Sequence, residues 1–230
     1  MFENFWGRLI RSFVTNNGWR LVLDGLGVSM QITLVALVIG IVLGTLIAIC
    51  KVTAGRSVGG RILNSVASLY ITFFRGTPVV VQLLLFYFGI FAPMGVSALA
   101  VACVVFGLNS GAYVAEIVRS GIMAVDRGQM EAGRSLGLSR ATTMRRIILP
   151  QALKNILPAL GNEVVVLIKE TSVAGWLPLS DMTRAIQKII SRSYDAFVPY
   201  LVLALIYLVI VVAATYGVNR FERWMRRSER

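Results

Sequence analysis

The sequence predicts an all-α integral membrane protein with five transmembrane helices, and three observations support this fold class. Of the 230 residues 57% are hydrophobic, and the mean hydropathy is +0.75, whereas soluble domains contain about 45–50% apolar residues. Several apolar runs reach the roughly 20 residues that a helix needs to cross a bilayer. The Lys and Arg residues lie mostly between these runs, so the net charge of +12 indicates membrane loops rather than nucleic-acid binding.

Residues 1–20 predict an amphipathic helix at the membrane interface. Its large apolar residues fall on one side, at Phe2, Phe5, Trp6, Leu9, Ile10 and Phe13. We expect no cleavable signal, because no small-residue cleavage site follows an apolar core. The transmembrane domain is therefore expected over residues 21–222, followed by a basic tail at 223–230.

The five predicted spans are 26–50, 63–91, 96–115, 153–174 and 198–218. Gly40 and Gly44 in the first span form a small-residue face suited to close helix packing. Pro78 breaks the second span, and the turn Ala92-Pro93-Met94-Gly95 leads to the third. Segment 176–196 has mixed charges and predicts an external amphipathic helix.

The distribution of basic residues predicts the orientation of the chain. Segments 51–61, 117–154 and 219–230 together contain 15 Lys and Arg, whereas segments 1–25 and 176–196 contain 6. Because Lys and Arg are enriched in cytoplasmic loops, we expect the C-terminus inside and the N-terminus outside. Arg8, Arg11 and Arg20 fit this rule least well, since they fall on the expected outer side.

The polar, basic segment 131–150, EAGRSLGLSRATTMRRIILP, lies between apolar runs and predicts two short helices. Asp126 is a suitable N-cap for the first helix, and Gly137 can end it in a left-handed conformation. Ser139 can cap the second helix, which we expect to end at Pro150 because proline lacks the N–H group. Such a pair forms a knob suited to a socket on another protein.

This segment resembles the EAA loop of ABC importer permeases, which reads E-A-A, three residues, G, nine residues, I-x-L-P. Gly133 replaces the second alanine, a change that weakens a helix by about 1 kcal/mol. The motif positions are Glu131, Ala132, Gly133, Gly137, Leu149 and Pro150. Three further segments resemble polar amino-acid permeases: FRGTPVVVQLLLFYFG (74–89), NSGAYVAEIVRSGI (109–122) and LPALGNEVVVLIKETS (157–172).

The resemblance implies the type I ABC importer permease fold, with residues 128–150 as the loop that couples to an ATPase. It implies a second permease subunit, of the same or a homologous chain, and a dimer of cytoplasmic ATPase subunits that binds ATP and Mg. It also implies an external amino-acid-binding protein and a location in the bacterial plasma (inner) membrane. The sequence has no GxxxxGK[ST] phosphate loop, so we expect a transport subunit without its own cofactor.

Polar residues within the predicted spans are candidates for the substrate path. A buried carboxylate such as Glu163 costs free energy unless water or a cation lies beside it. Glu163 is a candidate for binding an ammonium group and Asn162 for binding a carboxylate, with Gln82 and Thr77 as possible partners. The alternative is a structural role for Glu163, in a pair that joins two helices or with Arg75, which is otherwise expected to bond carbonyls freed at Pro78.

Two other functions remain open at this point. A membrane scaffold or assembly subunit would also have spans and a docking loop, but it would not need polar residues such as Asn162 and Glu163 within them. A secondary transporter is usually longer and shows internal repeats. Neither a metal site nor a disulfide is expected, because Cys50 and Cys103 lie in apolar runs and the chain has no histidine.

Overall fold

The computed structural model describes residues 5–15, 17–53 and 57–227, and these ranges contain helices and no strands. The α-helices are α1 (Phe5–Leu9), α2 (Gly18–Thr53), α3 (Val58–Gly76), α4 (Val79–Phe86), α5 (Ala98–Met123), α6 (Arg127–Ser135), α7 (Arg140–Thr143), α8 (Leu149–Glu170), α9 (Met182–Ser193) and α10 (Phe197–Arg227). Three π-helical turns (Ile10–Thr15, Tyr87–Phe91 and Met144–Ile148) and one 3₁₀ segment (Thr171–Trp176) join them.

Helices α2, α5 and α10 are long and apolar enough to cross a membrane. A fourth candidate span consists of α3 and the segment Val79–Phe91, which meet at a bend of 107°. By length and composition, the described residues therefore contain three candidate spans, or four if the bent pair is counted as one span. Helix α8, the predicted fourth span, is not apolar enough to be counted, because polar residues recur along it.

The N-terminal segment differs from the single surface helix expected over residues 1–20. Residues 1–4 lie outside the described residues, and α1 is followed by the π-helical turn. The chain then reverses at Asn17, whose φ is 52°, a left-handed conformation that asparagine tolerates better than most residues. Helix α2 therefore begins at Gly18, eight residues before the predicted start of the first span.

Small residues bring α2 and α5 into close contact. A Cβ atom on Gly40 would lie 2.7 Å from Ser110 Oγ, and one on Gly44 would lie 2.6 Å from the carbonyl oxygen of Gly111. The predicted small-residue face of the first span is confirmed by this contact. The core beside it contains fully buried Ile32, Leu83, Phe106 and Leu167.

Helix α9 is amphipathic, as predicted for segment 176–196. Its buried side includes Met182, Ile186 and Ile189. The helix begins at Asp181, whose Oδ1 atom accepts a hydrogen bond from the backbone N–H of Arg184 at 2.8 Å. Asp181 is fully buried, and burial raises the pKa of its carboxyl group while backbone N–H donors oppose that rise.

Candidate functional site

The knob between α5 and α8 has the local geometry that its sequence predicts. Asp126 Oδ1 accepts a hydrogen bond from the N–H of Gly128 at 2.6 Å and so caps α6. At the other end, the N–H of Leu138 donates to Gly133 O and that of Gly137 to Arg134 O. This is a Schellman ending, and Gly137 has the φ of 81° that it requires.

The second half of the knob begins as predicted but ends differently. Ser139 Oγ accepts a hydrogen bond from the N–H of Thr142 at 3.1 Å. The prediction that this helix ends at Pro150 is wrong, because helical structure continues through the π-helical turn Met144–Ile148 into α8. Pro150 directly follows the π-helical turn as the second residue of α8, and its missing N–H group does not end the helix.

Gly133, the departure from the E-A-A pattern, lies directly against Thr143. A Cβ atom at Gly133 would be 2.5 Å from Thr143 Cγ2 and 2.9 Å from its Oγ1. Thr143 is fully buried, and its hydroxyl donates to the carbonyl of Ser139 at 3.0 Å. Since a β-branched side chain has few rotamers, Thr143 has little freedom to move aside. Glycine at position 133 thus permits the close packing of α6 on α7.

The tip of the knob is exposed. Glu131 and Ala132 lie on the exposed side of α6, and Leu136 is 82% exposed beside the turn at Gly137. Leu136 was not among the predicted site residues, although a single large apolar residue next to a turn glycine is a usable signal for an exposed contact. Leu149 is half-buried and Pro150 is exposed where the knob joins α8.

The two polar residues predicted for the substrate path lie on different sides of α8. Glu163 is 7% exposed, and its Oε1 atom accepts a hydrogen bond from the hydroxyl of Ser110 on α5 at 2.8 Å. Asn162 is exposed on the outer side of the helix. Asn162 and Glu163 therefore do not form one site within a single chain.

Asn162 belongs to an exposed polar face of α8 that runs along the helix axis. At 100° per residue, Gln151, Asn155, Asn162 and Lys169 fall within about 40° of each other. All four are exposed. Hydrocarbon is an unfavourable neighbour for such a row, so this polar face suits water or another protein chain. Only Asn162 was predicted as a site residue, because the four residues are far apart in sequence and come together only through the helical periodicity of α8.

Gln82 and Thr77 lie at the break in the second span. Gln82 Nε2 donates hydrogen bonds to the carbonyls of Phe74 (2.9 Å) and Thr77 (3.0 Å) and lies 2.8 Å from Thr77 Oγ1. Asn109 Nδ2 donates to Phe74 O and to Gln82 Oε1. These bonds satisfy the carbonyls freed at Pro78 and favour a structural role for Gln82, which is 1% exposed.

Arg75 is oriented towards α5 rather than towards Glu163. Its Nη1 atom is 4.0 Å from Glu116 Oε2, and its guanidinium lies over the ring of Tyr113. Arg119 forms the shorter ion pair with Glu116, at 2.8 Å, as the spacing within α5 predicts. The ion pair between Arg75 and Glu163 considered in the sequence analysis is therefore not formed in this structure.

The chain matches known transport proteins over most of its length. Residues 36–227 match the family "Binding-protein-dependent transport system inner membrane component". The glutamine transport system permease protein GlnP of Escherichia coli is 36% identical over 209 residues, 90% of this chain and 93% of that protein. The arginine transport system permease protein ArtQ of Bacillus subtilis is 36% identical over 210 residues, 90% of this chain and 94% of that one.

A solved structure agrees with these matches. The "Crystal structure of an amino acid ABC transporter with histidines" aligns with a TM-score of 0.84 at 42% identity, covering 91% of this chain and 96% of that one. The fold is that of an ABC importer permease. The chain belongs to the family of inner membrane components of binding-protein-dependent transport systems. It is a permease subunit of the inner membrane and not an enzyme, since ATP hydrolysis in these systems occurs on a separate subunit.

Gly133→Ala tests the packing inside the knob. We expect it to displace Thr143 and lower the thermal unfolding midpoint, although alanine is the better helix former. Thr143→Ala leaves room for the added methyl group. We therefore expect the double variant to be destabilised by less than the sum of the losses in the two single variants. Thermal unfolding of the purified chain measures all three variants. Stabilisation by Gly133→Ala alone would contradict the contact.

Proposed function

We propose that this permease carries amino acids and that residues 128–150 transmit the movement of a cytoplasmic ATPase dimer to it. The observation that supports this proposal most strongly is the exposed knob at the junction of α5 and α8. Both helices reach the buried Glu163, one through Ser110 and the other by carrying the residue itself. The similarity to permeases named for glutamine and arginine transport supports an amino-acid substrate.

The knob is suited to insertion into a groove on the ATPase. Its tip presents Leu136 as an apolar anchor, with Arg134 and Arg140 exposed on either side. Interfaces are commonly organised around one such apolar contact within a polar rim. Glu131 and Ala132 face the same solvent-exposed side of α6 and complete the proposed docking surface.

A second permease subunit, of the same or a homologous chain, is proposed to face α8. The polar face formed by Gln151, Asn155, Asn162 and Lys169 is unfavourable against lipid. Two such faces opposite each other would enclose a polar path, and Asn162 would line it. An external binding protein would deliver the amino acid to this path, and Mg-ATP would be bound by the ATPase subunits.

Glu163 is proposed to meet the cationic group of the amino acid. In the present conformation the Ser110 hydroxyl covers the carboxylate, and the described residues place no Lys or Arg within ion-pair distance of it. A shift of α8 relative to α5 would free the carboxylate beside the path. Gln82 and Thr77 are weaker candidates, because their polar groups are bonded at the helix break.

We further propose five spans, with α8 as the fourth, the N-terminus outside and the C-terminus inside. Segment 21–222 then forms the permease domain, between the peripheral segment 1–20 and the tail 223–230. Five spans place the knob and the tail in the cytoplasm, where the basic residues are concentrated. They also place α9 on the outer side.

Single-cysteine labelling tests this orientation. In a variant without Cys50 and Cys103, we expect Ser139→Cys to resist a membrane-impermeant maleimide in intact cells and to react after permeabilisation. Ser191→Cys on α9 is the matched control and is expected to react in intact cells. Labelling of Ser139→Cys from outside would overturn both the orientation and docking to a cytoplasmic ATPase.

Two variants of Gly137 test coupling through the knob. A Cβ atom at this position meets nothing within 4 Å, so the effect of a substitution depends on the left-handed backbone. Asparagine tolerates this conformation and valine does not. We therefore expect Gly137→Val to lose ATPase capture and substrate-stimulated ATP hydrolysis, while Gly137→Asn retains most of both. Equal coupling by the two variants would count against the proposal.

Glu163→Gln tests the charge role at the substrate path. It preserves the bond with Ser110 but removes the charge, so we expect normal expression and uptake reduced about 10-fold or more. Uptake by the reconstituted complex with its binding protein, across a panel of amino acids, is the measurement, and basic amino acids should be affected most. Ser110→Ala is the control for the lost hydrogen bond. Unchanged uptake of every amino acid by Glu163→Gln would refute the role.

A further inference from the structure

An apolar crevice lies between the N-terminal segment and two helices, away from α8 and the knob. Its volume is about 400 Å³, and none of its lining is polar. The N-terminal segment supplies Leu9 and Phe13, α2 supplies Trp19 and Val22, and α10 supplies Val202 and Ile206. We refer to it as the N-terminal crevice. The left-handed Asn17, which the sequence did not predict, lies between Phe13 and Trp19, two of the lining residues.

A cation with no ion-pair partner among the described residues lies next to this crevice. The guanidinium of Arg20 lies 5.2 Å from the centre of the Trp19 ring, and Trp19 lines the crevice. No carboxylate lies within 4.0 Å of Arg20 among the described residues, and the carboxylate of Asp24, one helical turn further on, is exposed. Arg8 differs, because it is 3.8 Å from Asp195.

A hydrocarbon-lined crevice with a cation at one end matches the two parts of a phospholipid. An acyl chain is complementary to a surface of leucine, valine, isoleucine and aromatic side chains. A guanidinium forms strong, charge-assisted hydrogen bonds with phosphate oxygens. Tryptophan favours the level of the lipid headgroups, so Trp19 marks the depth at which the acyl chain meets the phosphate.

We infer that the N-terminal crevice binds an anionic phospholipid, with one acyl chain in the crevice and the phosphate bound by Arg20. The inference accounts for a feature that the topology leaves unexplained. In the orientation proposed above, Arg8, Arg11 and Arg20 lie on the side where basic residues are expected to be few. A bound anionic headgroup gives Arg20 a partner in the membrane itself.

Lipid retention by the full chain tests this inference without requiring transport. The chain is reconstituted in nanodiscs with equal amounts of phosphatidylglycerol and phosphatidylcholine, released into mild detergent and examined by native mass spectrometry. We expect wild-type protein to retain phosphatidylglycerol preferentially. Arg20→Gln should lower retained phosphatidylglycerol about 10-fold and leave phosphatidylcholine unchanged. Arg192→Gln, which removes an exposed cation from α9, should behave as wild type.

A second pair of variants tests the crevice. Val202→Trp fills it and should displace both lipids, whereas Val209→Trp places the same side chain on an exposed part of α10 and should displace neither. The thermal unfolding midpoint of each variant shows whether it is folded. If Val202→Trp does not fold, the smaller side chain of Val202→Phe is used instead. Equal retention of the two lipids by wild type, or unchanged phosphatidylglycerol in Arg20→Gln, would overturn the inference. Leu23 also lines the crevice and is exposed. Disulfide crosslinking between copies of Leu23→Cys, in a variant without Cys50 and Cys103, would also overturn the inference, since a second chain would then cover the crevice.

Discussion

The close approach of α2 and α5 is the contact on which the membrane domain depends. Gly40 and Gly44 let the α5 backbone come near enough for Ser110 to lie against α2. From that position Ser110 reaches Glu163, and its neighbour Asn109 reaches the break between α3 and α4. Bilayers provide little hydrophobic drive for helix association, so close packing and these hydrogen bonds hold the helices together. A larger residue at Gly40 or Gly44 would push α5 away from α2 and so displace Ser110 and Asn109 from their hydrogen-bond partners.

The local features of the knob could be predicted from the sequence because short-range chemistry determines them. Caps at Asp126 and Ser139 and a left-handed Gly137 depend on neighbouring backbone groups within a few residues. The path of the chain at Pro150 could not be predicted in this way. A π-helical turn directly precedes Pro150 in the structure, and the helix continues past this proline. The change in hydrogen-bond spacing at the π-helical turn has no simple sequence signature.

The other differences between the sequence predictions and the structure arise from contacts between segments that are distant in sequence. The sequence places Asn162 and Glu163 side by side, but which of them faces α5 depends on how α8 is rotated in the bundle. The same is true of Gly133, whose place in the motif gives no sign of Thr143 ten residues later. Gln82 shows the converse. A polar residue in a span is a reasonable candidate for a substrate contact. The side-chain amide of Gln82, however, already donates hydrogen bonds to the carbonyls of Phe74 and Thr77 at the helix break.

The π-helical turn Met144–Ile148 determines how the knob is oriented about the axis of α8. Helical structure is continuous from Arg140 to Glu170, with Pro158 inside α8, so α7 and α8 are joined without an intervening loop. Five residues in a π turn advance roughly a quarter turn less about the helix axis than five residues in an α-helix. The turn therefore sets the angle about the helix axis between the knob and the sides of α8 that carry Asn162 and Glu163. A straight α-helix of the same length would turn the knob towards a different side of α8.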